Sequence, residues 1–311
     1  MMIMKLTLTV SLLCLLVAQV SDVFAQNANQ QNARPNFSAE WRELYEAREY
    51  QGVPYRLMKP IDLTENPKQK YPLILSLHGA GARGTDNRKN LRIWNEVMAR
   101  EELRRRHPAF VVVPQSEIPW IVPGSTPEIT GEMIANSEPL FQPRLKLWGS
   151  RQDLLNQGML KKVFDLLDAL AQEFNIDADR VYVLGHSMGG AGTWTSIYEQ
   201  PDRFAAAIPT AGGLMPWMDL NNIAHIPIWS FHGDIDPTVS VEFTRYAFNN
   251  LTELKGNMKY TELKDVKHNA ANYGFVYTGD DPEKGFITHY SSDKCDKTAD
   301  VWDWLFAQKR K

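Results

Sequence analysis

Ser187 stands at the centre of the hexapeptide Gly185-His186-Ser187-Met188-Gly189-Gly190, entered by the apolar run Val181-Tyr182-Val183-Leu184 and followed by Ala191-Gly192-Thr193-Trp194. Apolar strand, tight turn, helix is the order a nucleophilic serine needs. A strained turn lifts the hydroxyl clear of a sheet, and the first turn of the following helix offers a backbone N–H, that of Met188, to an oxyanion. Gly185 and Gly189 suit this geometry, because a strand and a helix that cross so closely leave no room for a Cβ. A serine hydroxyl is a weak nucleophile near neutral pH, so it requires an imidazole to take its proton and a carboxylate to fix the imidazole's tautomer and stabilise its cation. The chemistry of such a set is acyl transfer. At ordinary Gly and Ser frequencies the turn pattern alone arises by accident in roughly one chain of this length in ten, so its meaning depends on the partners.

Seven histidines are available. His186 adjoins the serine but is expected to point away from its side chain; His78 and His232 end strands, where they suit turns; His107 and His225 precede strands; His289 lies in a late insertion. His268 follows the strand segment Tyr260-Thr261-Glu262-Leu263, in a loop at its carboxyl end, where open parallel sheets build their sites. The acid is expected between Ser187 and His268 in chain order. Phe231-His232-Gly233-Asp234-Ile235-Asp236-Pro237 offers two candidates. Asp236 lies farther beyond the turn at Gly233, where the loop can swing towards His268, whereas Asp234 is placed to cap or hold that turn. A second oxyanion donor is expected from the turn that ends the first central strand, Leu77-His78-Gly79-Ala80-Gly81.

The elements that must position these residues follow from periodicity. Short apolar strands at Leu73–Leu77, Ala109–Val113, Val181–Leu184, Phe204–Pro209, Ile226–Phe231 and Lys259–Leu263 alternate with helical stretches, the pattern of a mostly parallel sheet covered on both faces. Helices are expected over Asn90–Arg104, Leu154–Phe174, Ala191–Glu199, Val241–Leu254 and Ala299–Lys309. The second of these carries apolar residues at three- and four-residue spacing from Leu155 to Phe174. Tyr45–Tyr50 and Tyr55–Ile61 read as leading antiparallel strands, the first equally as helix. Two insertions, read as structureless, interrupt the rhythm, at about 115–150, rich in proline and without sustained periodicity, and 269–298, rich in Gly, Asp and Tyr; such lengths suit lids, binding loops or surface decoration. Trp120 and Trp148 flank the first insertion and Trp217 follows a strand beyond the serine. These rings are expected either to bind a sugar or aryl group of the substrate, Trp120 above all, or to be partly buried core.

Composition narrows the partners. A net charge of −3 with 23% charged residues supplies no general basicity for nucleic acid. Residues 1–25 read as a secretory signal peptide: Lys5 precedes the apolar run Leu12–Ala18, and Val23-Phe24-Ala25 resembles a cleavage site. The run is too short for a stable membrane anchor. Residues 26–36 read as a disordered leader, and 37–311 as one catalytic domain in a secreted or periplasmic protein. Removal of the signal peptide leaves Cys295 alone, so no intrachain disulfide is expected. No spaced His/Cys cluster suggests a metal, and no cofactor is expected.

Long runs carry a resemblance. YPLILSLHGAGARGTDN at 71–87, IDADRVYVLGHSMGGAGTWTSIYEQPDRFAAAIPTAGG at 176–213, FHGDIDPTVSV at 231–241, DVKHN at 265–269 and VWDWLFAQ at 301–308 resemble secreted α/β-hydrolase esterases related to feruloyl esterases and polyhydroxyalkanoate depolymerases, some labelled predicted peptidases or dienelactone-hydrolase-like. The resemblance implies an α/β-hydrolase fold, with Ser187, Asp236 and His268 as nucleophile, acid and base, and Ala80 and Met188 as oxyanion donors. It also implies hydrolysis of carboxylic esters through an acyl-enzyme, on acetyl or feruloyl esters of polysaccharides. Both insertions depart from compact family members, which leaves substrate choice open. The same triad serves peptidases related to prolyl oligopeptidase, and a non-catalytic carbohydrate-binding protein on this scaffold is the third alternative.

Overall fold

Residues 39–310 are described by a computed structural model; the signal peptide and leader expected at 1–25 and 26–36 lie outside the described residues. The chain from Arg42 onward forms one unit around a nine-stranded sheet. Its strands are β1 (Tyr45–Tyr50), β2 (Val53–Met58), β3 (Tyr71–Leu77), β4 (Phe110–Pro114), β5 (Ile176–His186), β6 (Ala206–Thr210), β7 (Ile228–Gly233), β8 (Met258–Leu263) and β9 (Phe286–Tyr290). They are ordered β1-β2-β4-β3-β5-β6-β7-β8-β9. The six strands from β4 to β8 in that order run parallel, while β1 and β2 at one edge and β9 at the other join antiparallel. Every residue of β3, β4, β6 and β7 is buried, as strands sandwiched between helical layers require. Their continuous apolar runs follow from that double burial. The edge strand β1 instead exposes Glu46 and Glu49 and buries Tyr45 alone, which discourages further pairing.

Ten helices of the described residues surround the sheet: α1 (Ile93–Ala99), α2 (Glu101–Arg106), α3 (Gly131–Asn136), α4 (Gln142–Gly149), α5 (Gln152–Leu155), α6 (Leu160–Glu173), α7 (Met188–Glu199), α8 (Glu242–Glu253), α9 (Ala271–Gly274) and α10 (Val301–Ala307). On α6, Leu160, Val163, Phe164, Leu166, Leu167 and Leu170 form the buried stripe that their spacing dictates.

Three expectations are corrected. The helix expected over 90–104 breaks at Arg100, whose backbone is extended. The stripe of Trp94, Val97 and Met98 would continue at Glu101; the break leaves Glu101 and Glu102 in solvent and buries Leu103. The helix expected over 154–174 is two, α5 and α6, because the first insertion crosses between them. A Cβ on Gly158 would lie 2.1 Å from Ile121 O, and the same carbonyl accepts Leu160 N–H at 3.0 Å. The insertions themselves are not structureless. The first contains α3 and α4, and the second contains α9 and β9, which pairs with β8 along its whole length. The segment at Tyr45–Tyr50, open between strand and helix, is a strand.

Candidate active site

Ser187 sits between the end of β5 and the start of α7 with φ 60° and ψ −116°, a region that non-glycine residues rarely occupy. Two backbone bonds hold it there: its N–H donates to Thr210 O at 3.0 Å, and its carbonyl accepts Ala191 N–H at 2.9 Å. The turn closes only without side chains beneath it. A Cβ on Gly189 would lie 2.0 Å from Leu77 O, and one on Gly185 2.5 Å from Gly189 O.

The carboxyl ends of β7 and β8 bring the other two residues to this point. Ser187 Oγ is 2.7 Å from His268 Nε2, and His268 Nδ1 is 2.7 Å from Asp236 Oδ2. Asp236 Oδ1 accepts the backbone N–H groups of Thr238 and Val239 at 2.8 and 3.0 Å. Burial pushes the Asp236 carboxyl up, but hydrogen bonds from His232, His268 and those two N–H groups outweigh it and hold the group well below the usual carboxylate range. His268 therefore carries its proton on Nδ1 and turns the Nε2 lone pair to the serine, the arrangement of a general base. Asp234 does not join this chain: its N–H donates to Leu263 O at 3.1 Å, and no hydrogen bond links its carboxylate to His268 among the described residues.

Two histidines, the buried His78 and the half-buried His186, read from the sequence as turn residue and bystander, support the site. His78 Nε2 accepts Ser116 N–H at 3.1 Å, so its Nδ1–H donates to Gly79 O at 2.8 Å. That carbonyl belongs to the same peptide plane as the Ala80 N–H, and Ala82 N–H also donates to it, at 3.0 Å. The plane is thereby pinned from both sides of its carbonyl, while the N–H groups of Ala80 and Met188 have no acceptor among the described residues. Both residues line the same cleft as Ser187. His186, whose role the sequence did not reveal, donates Nε2–H to His268 O at 2.6 Å, with ring centroids 4.8 Å apart. Burial holds His78 and His186 down to a pKa of about 4, so both are neutral at neutral pH. The one sequence signal for His186 is its place at the end of β5, level with the loops that follow β7 and β8.

The cleft has a volume of about 470 Å³ and is walled mainly by the first insertion, by α7 and by the loop between β7 and α8. Trp120 and Trp148 contribute to the wall; Trp217 is not among its lining residues. Trp120 is only 1% exposed. Its Nε1–H donates to His78 O at 2.9 Å, its ring lies edge-on to His78 at 4.9 Å, and it presses so closely on α7 that a Cβ on Gly192 would sit 2.5 Å from its own. The indole is therefore core that closes one wall of the cleft, with little open face. Among the described residues no cluster of three or more His, Cys, Asp or Glu is arranged to hold a metal ion.

A family model described as phospholipase/carboxylesterase matches residues 148–276, a span that includes Ser187, Asp236 and His268. The crystal structure of a thermostable esterase aligns with a TM-score of 0.62 and 30% identity, covering 86% of this chain and 64% of that one. An uncharacterized secreted protein of Arthroderma benhamiae is 24% identical over 70% of this chain and 23% of its own length. The cutinase est1 of Thermobifida alba is 36% identical over 34% of this chain and 36% of its own. The chain thus spans between about a fifth and just under half of the length of the curated relatives it matches. With its strand order and the serine turn at the end of β5, the chain has an α/β-hydrolase fold, and the proteins it is similar to over these residues include esterases and cutinases.

Proposed function

We propose that this protein is a secreted serine carboxylesterase that works through an acyl-enzyme. The observation that carries the reading is the continuous pair of 2.7 Å contacts from Ser187 Oγ through His268 to Asp236, set beside two backbone N–H groups that have no acceptor among the described residues. His268 Nε2 takes the Ser187 proton as Oγ attacks the ester carbonyl. The Ala80 and Met188 N–H groups bind the developing oxyanion, a pair of donors worth about 2.7–4 kcal/mol each in such sites. Collapse of the tetrahedral intermediate transfers the proton from His268 to the departing alkoxide, leaving the acyl group on Ser187. Water, deprotonated by the same imidazole, then attacks the acyl carbonyl; the second collapse releases the carboxylic acid and returns the proton to Oγ. Asp236 stabilises the imidazolium in both halves and keeps its orientation.

Acetyl or aryl esters of polysaccharides fit the substrate class. The cleft volume of about 470 Å³ suits a small acyl or aryl group. A bifunctional acetylxylan esterase/xylanase of Neocallimastix patriciarum is a relative at 26% identity over 56% of this chain and 27% of its own length. The apolar run at Leu12–Ala18 supports export, and among the described residues no helix is long and apolar enough to cross a membrane.

The test uses residues 26–311 with p-nitrophenyl acetate, methyl ferulate and a peptide p-nitroanilide, beside Ser187→Ala and a fluorophosphonate probe. Ester cleavage and probe labelling that both vanish in the variant are expected. Peptide cleavage alone would replace the reading with a peptidase, and failure of Ser187 to label would leave a binding protein.

A further inference from the structure

The cleft holding Ser187 contains a positive charge that no carboxylate among the described residues pairs. Of its lining residues only Arg83 and Arg144 are charged, and none is acidic. Arg144 belongs to α4, within the insertion whose function the sequence left open. Its guanidinium crosses to the strand side of the cleft, where Nη2 donates to Gly213 O at 3.1 Å, Nε meets Met215 Sδ at 3.2 Å, and Cζ lies 5.4 Å from the centroid of the Phe243 ring. A Cβ on Gly213 would lie 2.6 Å from Nη1, so the backbone there leaves room for the guanidinium and little else. Burial lowers the pKa of Arg144 only to about 10, which leaves the cation intact at neutral pH.

A guanidinium has five N–H donors. One is spent on a carbonyl and one on a weak sulfur acceptor, and three have no partner among the described residues. Among the same residues no carboxylate forms an ion pair with Arg144. A partly buried cation without an anion is unfavourable unless something compensates it, and the planar fork of arginine matches a carboxylate in bidentate fashion. Arg83, exposed at the oxyanion end, adds charge of the same sign.

We propose that Arg144 makes the cleft selective for esters that carry an ionised carboxylate on their acyl or alcohol part. This rests on the reading of Ser187 as the site of ester cleavage. The remaining apolar wall of Leu140, Leu147, Trp148 and Phe243 receives the uncharged body of the substrate. In the polysaccharide context the preferred esters are those next to a uronate or bearing a dicarboxylic acyl group. If Arg144 served only to clamp the insertion to the strand side, its loss would affect charged and neutral esters alike.

The experiment compares kcat/KM for matched pairs. One pair varies the acyl side, p-nitrophenyl hemiglutarate against p-nitrophenyl valerate; the other varies the alcohol side, 4-carboxyphenyl butyrate against phenyl butyrate. In at least one pair the wild type is expected to favour the anion over its neutral match by tenfold or more, after correction for the intrinsic reactivity of each ester with hydroxide. Arg144→Gln should lower that preference at least tenfold, mainly through KM, and Arg144→Lys should keep part of it. The pair that responds identifies which side of the ester carries the charge. Calorimetry of monomethyl glutarate with the Ser187→Ala protein, with and without Arg144→Gln, reads anion binding without turnover. Arg144-dependent binding without hydrolysis of any ester would sink the esterase reading, and with it the ester selectivity, and leave Arg144 as an anion-binding residue alone. Preferences near one in both wild-type pairs, or a preference that survives Arg144→Gln in a folded protein, would overturn it. If Arg144→Gln does not fold, the wild-type preferences and the Arg144→Lys protein decide.

Discussion

Replacing Asp236 by asparagine is nearly isosteric, yet the hydrogen bonds around it make the outcome sharp. Oδ1 accepts two backbone N–H groups, from Thr238 and Val239, and only the amide oxygen can replace it there. The amide Nδ2 then stands in the place of Oδ2, 2.7 Å from His268 Nδ1, and donates to it. His268 must move its proton to Nε2, where it faces Ser187 Oγ at 2.7 Å and can no longer accept the serine proton. Flipping the amide restores the tautomer only by turning NH₂ against two N–H donors. Each N–H donor left without an acceptor there costs about 1–3 kcal/mol. The competent form therefore lies about 2–6 kcal/mol above the ground state, which at about 1.36 kcal/mol per decade is a loss of about 30- to 3 × 10⁴-fold in kcat. Loss of the anionic partner of the imidazolium moves the result towards the upper end. The assay is kcat on p-nitrophenyl acetate for Asp236→Asn, with a thermal melt to establish folding and Asp234→Asn as the control, expected to change kcat less than threefold. A folded Asp236→Asn protein that loses less than tenfold would refute the tautomer reasoning, and a large loss in Asp234→Asn would move the acid to that residue.

Stability should fall with acidification over a defined window. His78 and His186 have pKa values near 4 in the fold against about 6.5 when unfolded, so between these limits the unfolded chain binds more protons. Their contribution is complete above about pH 6.5 and is lost as pH falls towards 4, by about 3 kcal/mol for each histidine. Urea titrations at pH 7, 5.5 and 4.5 should follow this slope, and His186→Gln should flatten it; an unchanged slope contradicts the assignment. Trp120→Phe keeps a ring in the cleft wall but strands the buried His78 carbonyl, a cost of about 1–3 kcal/mol, and Trp120→Ala should cost about 3–5 kcal/mol. Urea midpoints measured beside KM for methyl ferulate separate this from ring stacking on substrate, which would raise KM with little change in stability.

What could be read from the chain alone was what depends on near neighbours in it. Apolar runs marked β3 to β8 because strands buried on both faces tolerate little else. Ser187, His268 and Asp236 stood out because each follows a strand end within a short turn, and the parallel sheet sends all such ends to one edge. Asp234 and Asp236 differed by two positions, and turn chemistry favoured the second. The breaks in the helices were hidden because their causes are remote. Gly158 is an ordinary glycine until the backbone of Ile121 arrives against it, and β9 has only one buried residue to betray it. His186 reaches the carbonyl of His268 across 82 positions, and Arg144 reaches Gly213 across 69. Periodicity records which face of an element is buried, but not which donor and acceptor meet at about 3 Å; the packing of the insertion and loops over the sheet decides that.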